Sequence, residues 1–559
     1  MTSRTPHTAT PRPGIGGAPG WSADVTRALQ AALGPHARLL DTSTAAPPVA
    51  DWDACSLDGR SIDDISAWQA LIRAGRLGDV RGAFVVAWHD DSGRLRLARD
   101  AIGERTLFYV ASGAGAAFAT SLHALLEAGV LERRLDVPSL AAYLSYAYVP
   151  GGRTLVRGAY ELGPGQTATI SRGGVELEQH STLPAEPTSP LDEATLKQRL
   201  RCALETAVQR RLLGARSVGA SLSGGLDSSL VVALVRRSYH DELRTYSISF
   251  GDEHRNELRW SSLVAAHVGT VHRAVEIRPE RILQRLDDTT CRLGTPIGDP
   301  LTVPNAILFD EVASDVNILF NGEGGDPCFG GPKNVAMLAA ELFRGPLFLH
   351  DDDAWPRERS YLSAHKKCFE DLAEMLLPDA RAALSERPLE PQLAAWFADA
   401  RWASFVAKLM AINVACKGGH HILPKLDQLS RACGVLPRSP LFDRDVVDVA
   451  FAIPPQLKLR GSVEKYLLKQ SVLDLIPPEI IERPKSGMLV PVESWFAGPL
   501  LDSARQRLLD GLRRWDLFDP VWLERLVGSG RATTPVARRG AKIWLLVTLE
   551  AWLRTVLAG

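Results

Sequence analysis

Between residues 194 and 276 the chain alternates between short apolar runs and segments with helical spacing. The amphipathic stretch TLKQRLRCALETAVQRRLL leads into an apolar run at 218–222. A loop, a helical segment at 227–237, the run RTYSISF, a helical segment at 257–268 and the run HRAVEI then follow in order. Strands that alternate with helices are joined by crossovers, and crossovers lay the strands parallel. A parallel sheet binds its ligands in loops at the carboxyl ends of its strands. An α/β fold with its chemistry at those ends is therefore expected.

The loop after the first of these strands reads SLSGGLDSS, residues 221–229. Gly224 and Gly225 let the backbone approach an anion, and the following helix turns its free amides and positive dipole end toward it. Ser223, Ser228 and Ser229 add hydroxyl donors. Asp227 would repel a phosphate unless a magnesium ion bridges the two. The loop is not a Walker A sequence, which needs G-x-x-x-x-G-K-[ST]. It matches the S-G-G-x-D-S loop of enzymes that split ATP into AMP and pyrophosphate.

A second glycine-rich loop, LFNGEGGDPCFGGP at 319–332, follows another apolar run and carries Glu323 and Asp326. Two acids among glycines suit a further metal ligand and a general base. The remaining sequence divides around these loops. From about 65 to 180 short strands predominate: GAFVVAWHDDSGRLRLARD reads as a hairpin, AAFATS and QTATISRGGVELEQHS as strands, and LDVPSLAAYLSYAY as a helix. The Pro-rich stretch at 181–193 is the expected domain boundary. Beyond residue 326 the pattern is mostly helical to 555. Residues 1–20, rich in Pro, Gly and Thr, are expected to be a disordered lead-in, followed by one domain over 21–185 and another over 190–555.

At 559 residues, two or more domains are expected. A net charge of -1 gives no electrostatic case for nucleic acid or an anionic membrane as partner. No run approaches the roughly 20 apolar residues of a membrane span. Seven scattered cysteines without a C-x-x-C pair suit a reduced cytoplasm and no structural zinc.

The two loops, in this order, resemble the asparagine synthetase family, whose second loop reads S-G-E/D-G-x-D-E-x-F-G-G-Y. The resemblance extends to LARDAIGERTLFYV and YLSYAYVPGGRTLVRGAYELGPGQ on one side. On the other it includes PKLDQLSRACGVLPRSPLFD and EKYLLKQSVLDLIPPEIIERPKSGM. It implies an N-terminal nucleophile (glutaminase-like) β-rich α+β domain, degenerate here, followed by an adenine nucleotide α-hydrolase-like synthetase domain with a helical C-terminal region. The implied reaction uses ATP and Mg2+ to adenylate a small-molecule or peptide carboxylate, which an amine then attacks to give an amide and AMP.

Carried over residue by residue, Asp227 and Asp326 would coordinate magnesium, and Glu323 would assist formation of the acyl-adenylate. Ser223, Gly224, Gly225 and Ser228 would hold pyrophosphate, and Leu222, Ile248, Asn321 and Gly322 would contact adenosine. Lys485 and Lys465 would offset the negative charge of the reaction centre and the phosphates. A homodimer or a carrier or precursor-peptide partner is compatible with the resemblance.

Departures from the family pattern matter as much. The family's glutaminase needs a processed N-terminal cysteine, whereas this sequence begins Met-Thr-Ser-Arg and its first cysteine is Cys55. The stretch that holds glutamine, N-G-E in the family, corresponds to Asp58, Gly59 and Arg60. Glutaminase chemistry is therefore expected to be lost and its domain retained as scaffold. In the second loop Pro327, Cys328, Pro332, Lys333 and Asn334 also depart, which points to an acid other than free aspartate.

Relatives lacking the glutaminase cysteine include β-lactam and carbapenam synthetases and lasso-peptide cyclases, which close amides within their substrates. The first two place a tyrosine where Glu323 stands, so this loop leans toward the asparagine synthetase type. A catalytically silent scaffold and a tRNA-modifying pyrophosphatase are the rival readings. Intact acids oppose the first, and the neutral charge and second loop oppose the other. His420 and His421 are expected to be structural, Cys328 to be no nucleophile, and HDDDAW (350–355) to be a solvated loop in a substrate-fitting insertion at 340–415.

Overall fold

The run Phe84–Val86 is apolar at every position because strand β5 (Arg81–His89) is covered on both faces. Val85 and Ala87 face a second sheet, while Phe84 packs on Trp68 of the helix Ile65–Arg73, ring centroids 4.9 Å apart. The computed structural model describes residues 11–41, 46–113, 115–254, 256–331, 354–485, 487–528 and 536–558. Within them the first domain is a sandwich of two sheets with helices outside.

One sheet has the order β2 (Arg38–Leu39), β1 (Ile15–Gly17), β8 (Gly115–Ala119), β7 (Phe108–Ser112), β9 (Ala159–Glu161). The other runs β11 (Gly174–Gln179), β10 (Gln166–Ser171), β6 (Leu95–Arg99), β5, β3 (Val49–Leu57), β4 (Arg60–Ser61). The expected hairpin is β5–β6, and the expected helix is Val137–Tyr146.

The glycines near the start mark a strand rather than disorder, which corrects the expected lead-in over 11–20. β1 pairs with β8 and β2, Ile15 is buried in the sandwich, and the buried Arg12 guanidinium holds Asp427 at 3.0 Å. Residues 1–10 lie outside the described residues. So do Pro332, Lys333, Asn334 and most of HDDDAW.

The second domain begins with helix α1 (Glu193–Leu212), capped by Asp192, which accepts from the Thr195 amide at 2.9 Å. Its sheet is wholly parallel, in the order β14 (Val271–Glu276), β13 (Arg244–Ser249), β12 (Val218–Ser221), β15 (Ile318–Phe320), β16 (Leu436–Arg438). Helices α2 (Leu226–Ser238) and α3 (Leu258–Val268) are the crossovers. The register sets Ala220 beside both Thr245 and Phe320. The loops after β12 and β15 therefore leave the sheet side by side.

Buried ion pairs join the domains. Asp427 is shared by Arg12, Arg105 and Arg431; Arg211 joins Asp443 to Glu104 at 2.7 Å; Arg438 meets Asp53 at 2.8 Å. No described helix is long and apolar enough to cross a membrane.

Candidate active site

β12 is followed by Leu222, whose amide donates to the Tyr246 carbonyl at 2.8 Å and whose carbonyl accepts from the Ser247 hydroxyl. The chain then turns through Gly224 at φ 76°, where a Cβ would come 2.5 Å from the Ser261 amide nitrogen. Only glycine fits. Gly225 caps α2 without a side-chain acceptor, so the helix's first amides stay open at the loop. The Ser223 and Ser228 hydroxyls pair at 3.0 Å, and Ser228 Oγ also accepts from the Ser223 amide. These serines brace the turn as well as offering donors.

The second loop lies directly on the first. A Cβ on Gly322 would sit 2.5 Å from the Ser228 amide nitrogen, so backbone must meet backbone there. Asn321 is locked: its amide group donates to the Arg438 carbonyl at 3.2 Å, and its side-chain oxygen accepts from Ser439 Oγ at 2.9 Å and the Glu323 amide at 3.1 Å. The side chain shapes the loop and has these bonds in place of an open face. Ile248 lines a narrow cleft with Phe250, Gly487 and Met488, whereas the fully buried Leu222 does not.

The loop packing brings Asp227 and Asp326 together from about a hundred residues apart. Lys465 Nζ stands 2.6 Å from both Asp227 Oδ2 and Asp326 Oδ1. Lys485 Nζ also pairs with Asp326 and lies 4.0 Å from Asp227. Burial opposes ionisation of Asp326, but the two ammonium groups overcome it and hold its carboxyl well below the ordinary range. Lys465 is 3% exposed, yet its two carboxylates outweigh burial and raise its pKa. Lys465 is thus no surface charge.

Asp227 Oδ1 is buried with no hydrogen-bond partner. A hard dication held by two carboxylates and completed by phosphate oxygens fits that orphaned oxygen and this donor set. No cluster of three His, Cys, Asp or Glu side chains occurs among the described residues, so phosphate or water would have to complete the shell.

Glu323 is set apart from this pair. Burial raises its carboxyl pKa against the pull of Lys425 and Lys417. Beneath it Lys425 Nζ pairs with Asp299 at 2.6 Å, and His421 stacks on Tyr148. His420 Nδ1 pairs with Glu161 at 2.9 Å, as a structural histidine would. Cys328 is buried, its thiol pushed far up by desolvation and donating to the Leu441 carbonyl at 3.5 Å.

Sequence reasoning passed over Arg483, in the same motif as Lys485. Its guanidinium donates to the Gly224 carbonyl at 3.1 Å, pairs with Glu257 and lies 4.8 Å from the centre of the Trp260 ring. It clamps the first loop. Its place two residues before Lys485, beside a proline, was the only signal.

Comparison with known proteins agrees with this geometry. Residues 199–554 match the asparagine synthase family model, and residues 69–181 match a glutamine amidotransferase domain. An asparagine synthetase (glutamine-hydrolyzing) of Bacillus subtilis is 26% identical over 498 residues, covering 85% of this chain and 77% of the relative. A second from that organism is 23% identical over 437 residues, covering 73% of this chain and 67% of the relative. With paired loops, bridged aspartates and a family match across the whole second domain, the chain belongs to the asparagine synthase family.

Proposed function

We propose that this protein is an AMP-forming amide ligase that activates a carboxylate with ATP and Mg2+, then passes it to an amine without hydrolysing glutamine. The observation that carries the reading is Lys465 Nζ at 2.6 Å from one aspartate of each loop. This places two acids and two cations where the open end of α2 meets the second loop.

Asp227 and Asp326 would hold magnesium, which when bound neutralises phosphate charge. The α2 amides and the Ser223 and Ser228 hydroxyls bind the departing pyrophosphate. Lys465 and Lys485 exchange carboxylate for phosphate oxygens as the triphosphate enters, then offset the charge that grows as pyrophosphate leaves. Glu323, its carboxyl pKa raised by burial, accepts the proton of the attacking amine.

The reading of the first domain is supported by the state of its Cys55. A cysteine nucleophile must be an accessible thiolate. Cys55 is 3% exposed, donates to the Ala83 carbonyl at 3.3 Å, and has its pKa pushed far up by burial. Asp58 and Gly59 form the β3–β4 turn, where Asp58 is tied to Arg76 at 3.1 Å. Seven unpaired cysteines accord with a cytoplasmic setting.

The test is to supply ATP, magnesium and a panel of carboxylic acids, and to measure pyrophosphate and, with glutamine added, glutamate. Acid-dependent pyrophosphate without glutamate is expected. Enzymatic glutamate release, whether or not Cys55→Ala abolishes it, would overturn the reading of the first domain.

A further inference from the structure

At the sandwich edge formed by β9 and β11 the two sheets part around a cavity of about 700 Å3. No residue of either loop lines it. It lies at the opposite sheet edge from β1–β2 and the β3–β4 turn, where the glutaminase-like elements stand. Residues 396–420 of the second domain close it, so the site exists only where the domains meet. Its volume falls within the range that encloses a small organic ligand.

The walls specify the ligand. Tyr109 and Tyr160, stacked with centroids 5.5 Å apart, line the cavity from the first domain; Trp396 and Trp402, stacked at 6.0 Å, line it from the second. Edge strand β11 lines the cavity with Val175, Leu177 and Gln179, while the alternate residues Glu176 and Glu178 are not part of the lining. Leu177 remains 52% exposed, an apolar side chain in a concave surface rather than on a flat one.

The charges are nearly all answered from within. Glu161 is buried and doubly paired, with Arg99 at 2.8 Å and His420 at 2.9 Å, so it offers nothing to a cation. Arg401 is held by Asp399 at 2.7 Å. Arg153 is different: its guanidinium lies 5.7 Å from the centre of the Tyr160 ring and has no carboxylate partner among the described residues. The uncompensated charge at the cavity is therefore positive, beside flat aromatic walls. We propose that this cavity binds an aromatic carboxylate of small-molecule size, its ring between the two aromatic pairs and its anion on Arg153.

The experiment is calorimetric titration of the full chain with naphthalene-1-acetate and with its uncharged isostere, naphthalene-1-acetamide. Saturable binding of one acetate per chain is expected, at least tenfold tighter than the acetamide. Arg153→Gln, at an exposed position, should bind both probes equally. Leu177→Asp, also exposed, should abolish acetate binding by setting a like charge in the wall. Both variants should keep the wild-type melting temperature. Saturating ATP, or Asp227→Asn, should leave acetate binding unchanged, which separates this site from the ligase reading. No saturable acetate binding, equal binding of both probes to the wild type, discrimination retained by Arg153→Gln, or displacement by ATP would each overturn the proposal.

Discussion

Lys465→Met deletes the ammonium that lies 2.6 Å from a carboxylate of each loop. Removing one partner from a buried ion pair costs roughly 3–5 kcal/mol, because the other charge is left without compensation. Here Asp326 keeps Lys485 and its side chain is 45% exposed, so water and the second lysine absorb part of that. A loss of about 2–3 kcal/mol remains after this screening. Lys465 also holds a left-handed conformation, φ 53° and ψ 37°, that a non-glycine residue adopts only when its contacts enforce it. Breaking those contacts frees the start of the helix Tyr466–Gln470 as well. The assay is urea unfolding followed by tryptophan fluorescence, with and without magnesium. Magnesium restores positive charge between the carboxylates, so it should stabilise the Met variant more than the wild type. A variant within about 0.5 kcal/mol of wild type, the range of a neutral surface change, with no added response to magnesium, would refute the bridge.

Further expectations follow from the same geometry. Lys485→Met should slow turnover by roughly 100-fold, the scale of losing one preorganised stabiliser, with little change in ATP affinity; steady-state kinetics decide between the two parameters. Burial raises the Glu323 carboxyl above its ordinary 4.5, so the base form, and with it the rate, should grow as pH rises through the raised value. Glu323→Gln should lower the rate and remove that acid limb from the pH profile. Asp427 is buried, yet Arg431, Arg105 and Arg12 hold its pKa below the ordinary 3.8. The stability it contributes is complete above 3.8 and lost as pH falls below that, so melting under acid should show the domain contact failing in this window, and Asp427→Asn should flatten the dependence.

The two glycine-rich loops after β12 and β15 were legible because their pattern is local: glycines where backbone meets backbone, and carboxylates beside them. The strands before them were legible because a parallel sheet buried on both faces writes unbroken apolar runs. β16 was not, since three residues containing Pro437 carry no pattern and owe their extension to pairing with β15, more than a hundred residues earlier. The strand at 15–17 was misread for a related reason. Its Gly-rich sequence resembles a linker, and only β8 and β2 make it a strand. The burial of Lys465 was not legible, because burial between two distant loops cannot be read from its neighbours. Asn321 was assigned to adenosine by likeness, whereas its hydrogen bonds to the backbone and Ser439 fix the loop. The Arg483 clamp depends on Trp260 and Gly224, which lie more than two hundred residues away in sequence.

The account rests on Asp227 and Asp326 acting as one metal-binding pair across the two loops. The direct measurement is magnesium-dependent pyrophosphate release by Asp227→Asn and Asp326→Asn, with an acid that the wild type activates. Asn keeps the shape and removes the charge a hard dication requires. Both variants should melt as folded proteins and release no pyrophosphate above background at any magnesium concentration. Wild-type release from either variant, with an unchanged magnesium dependence, would contradict the account.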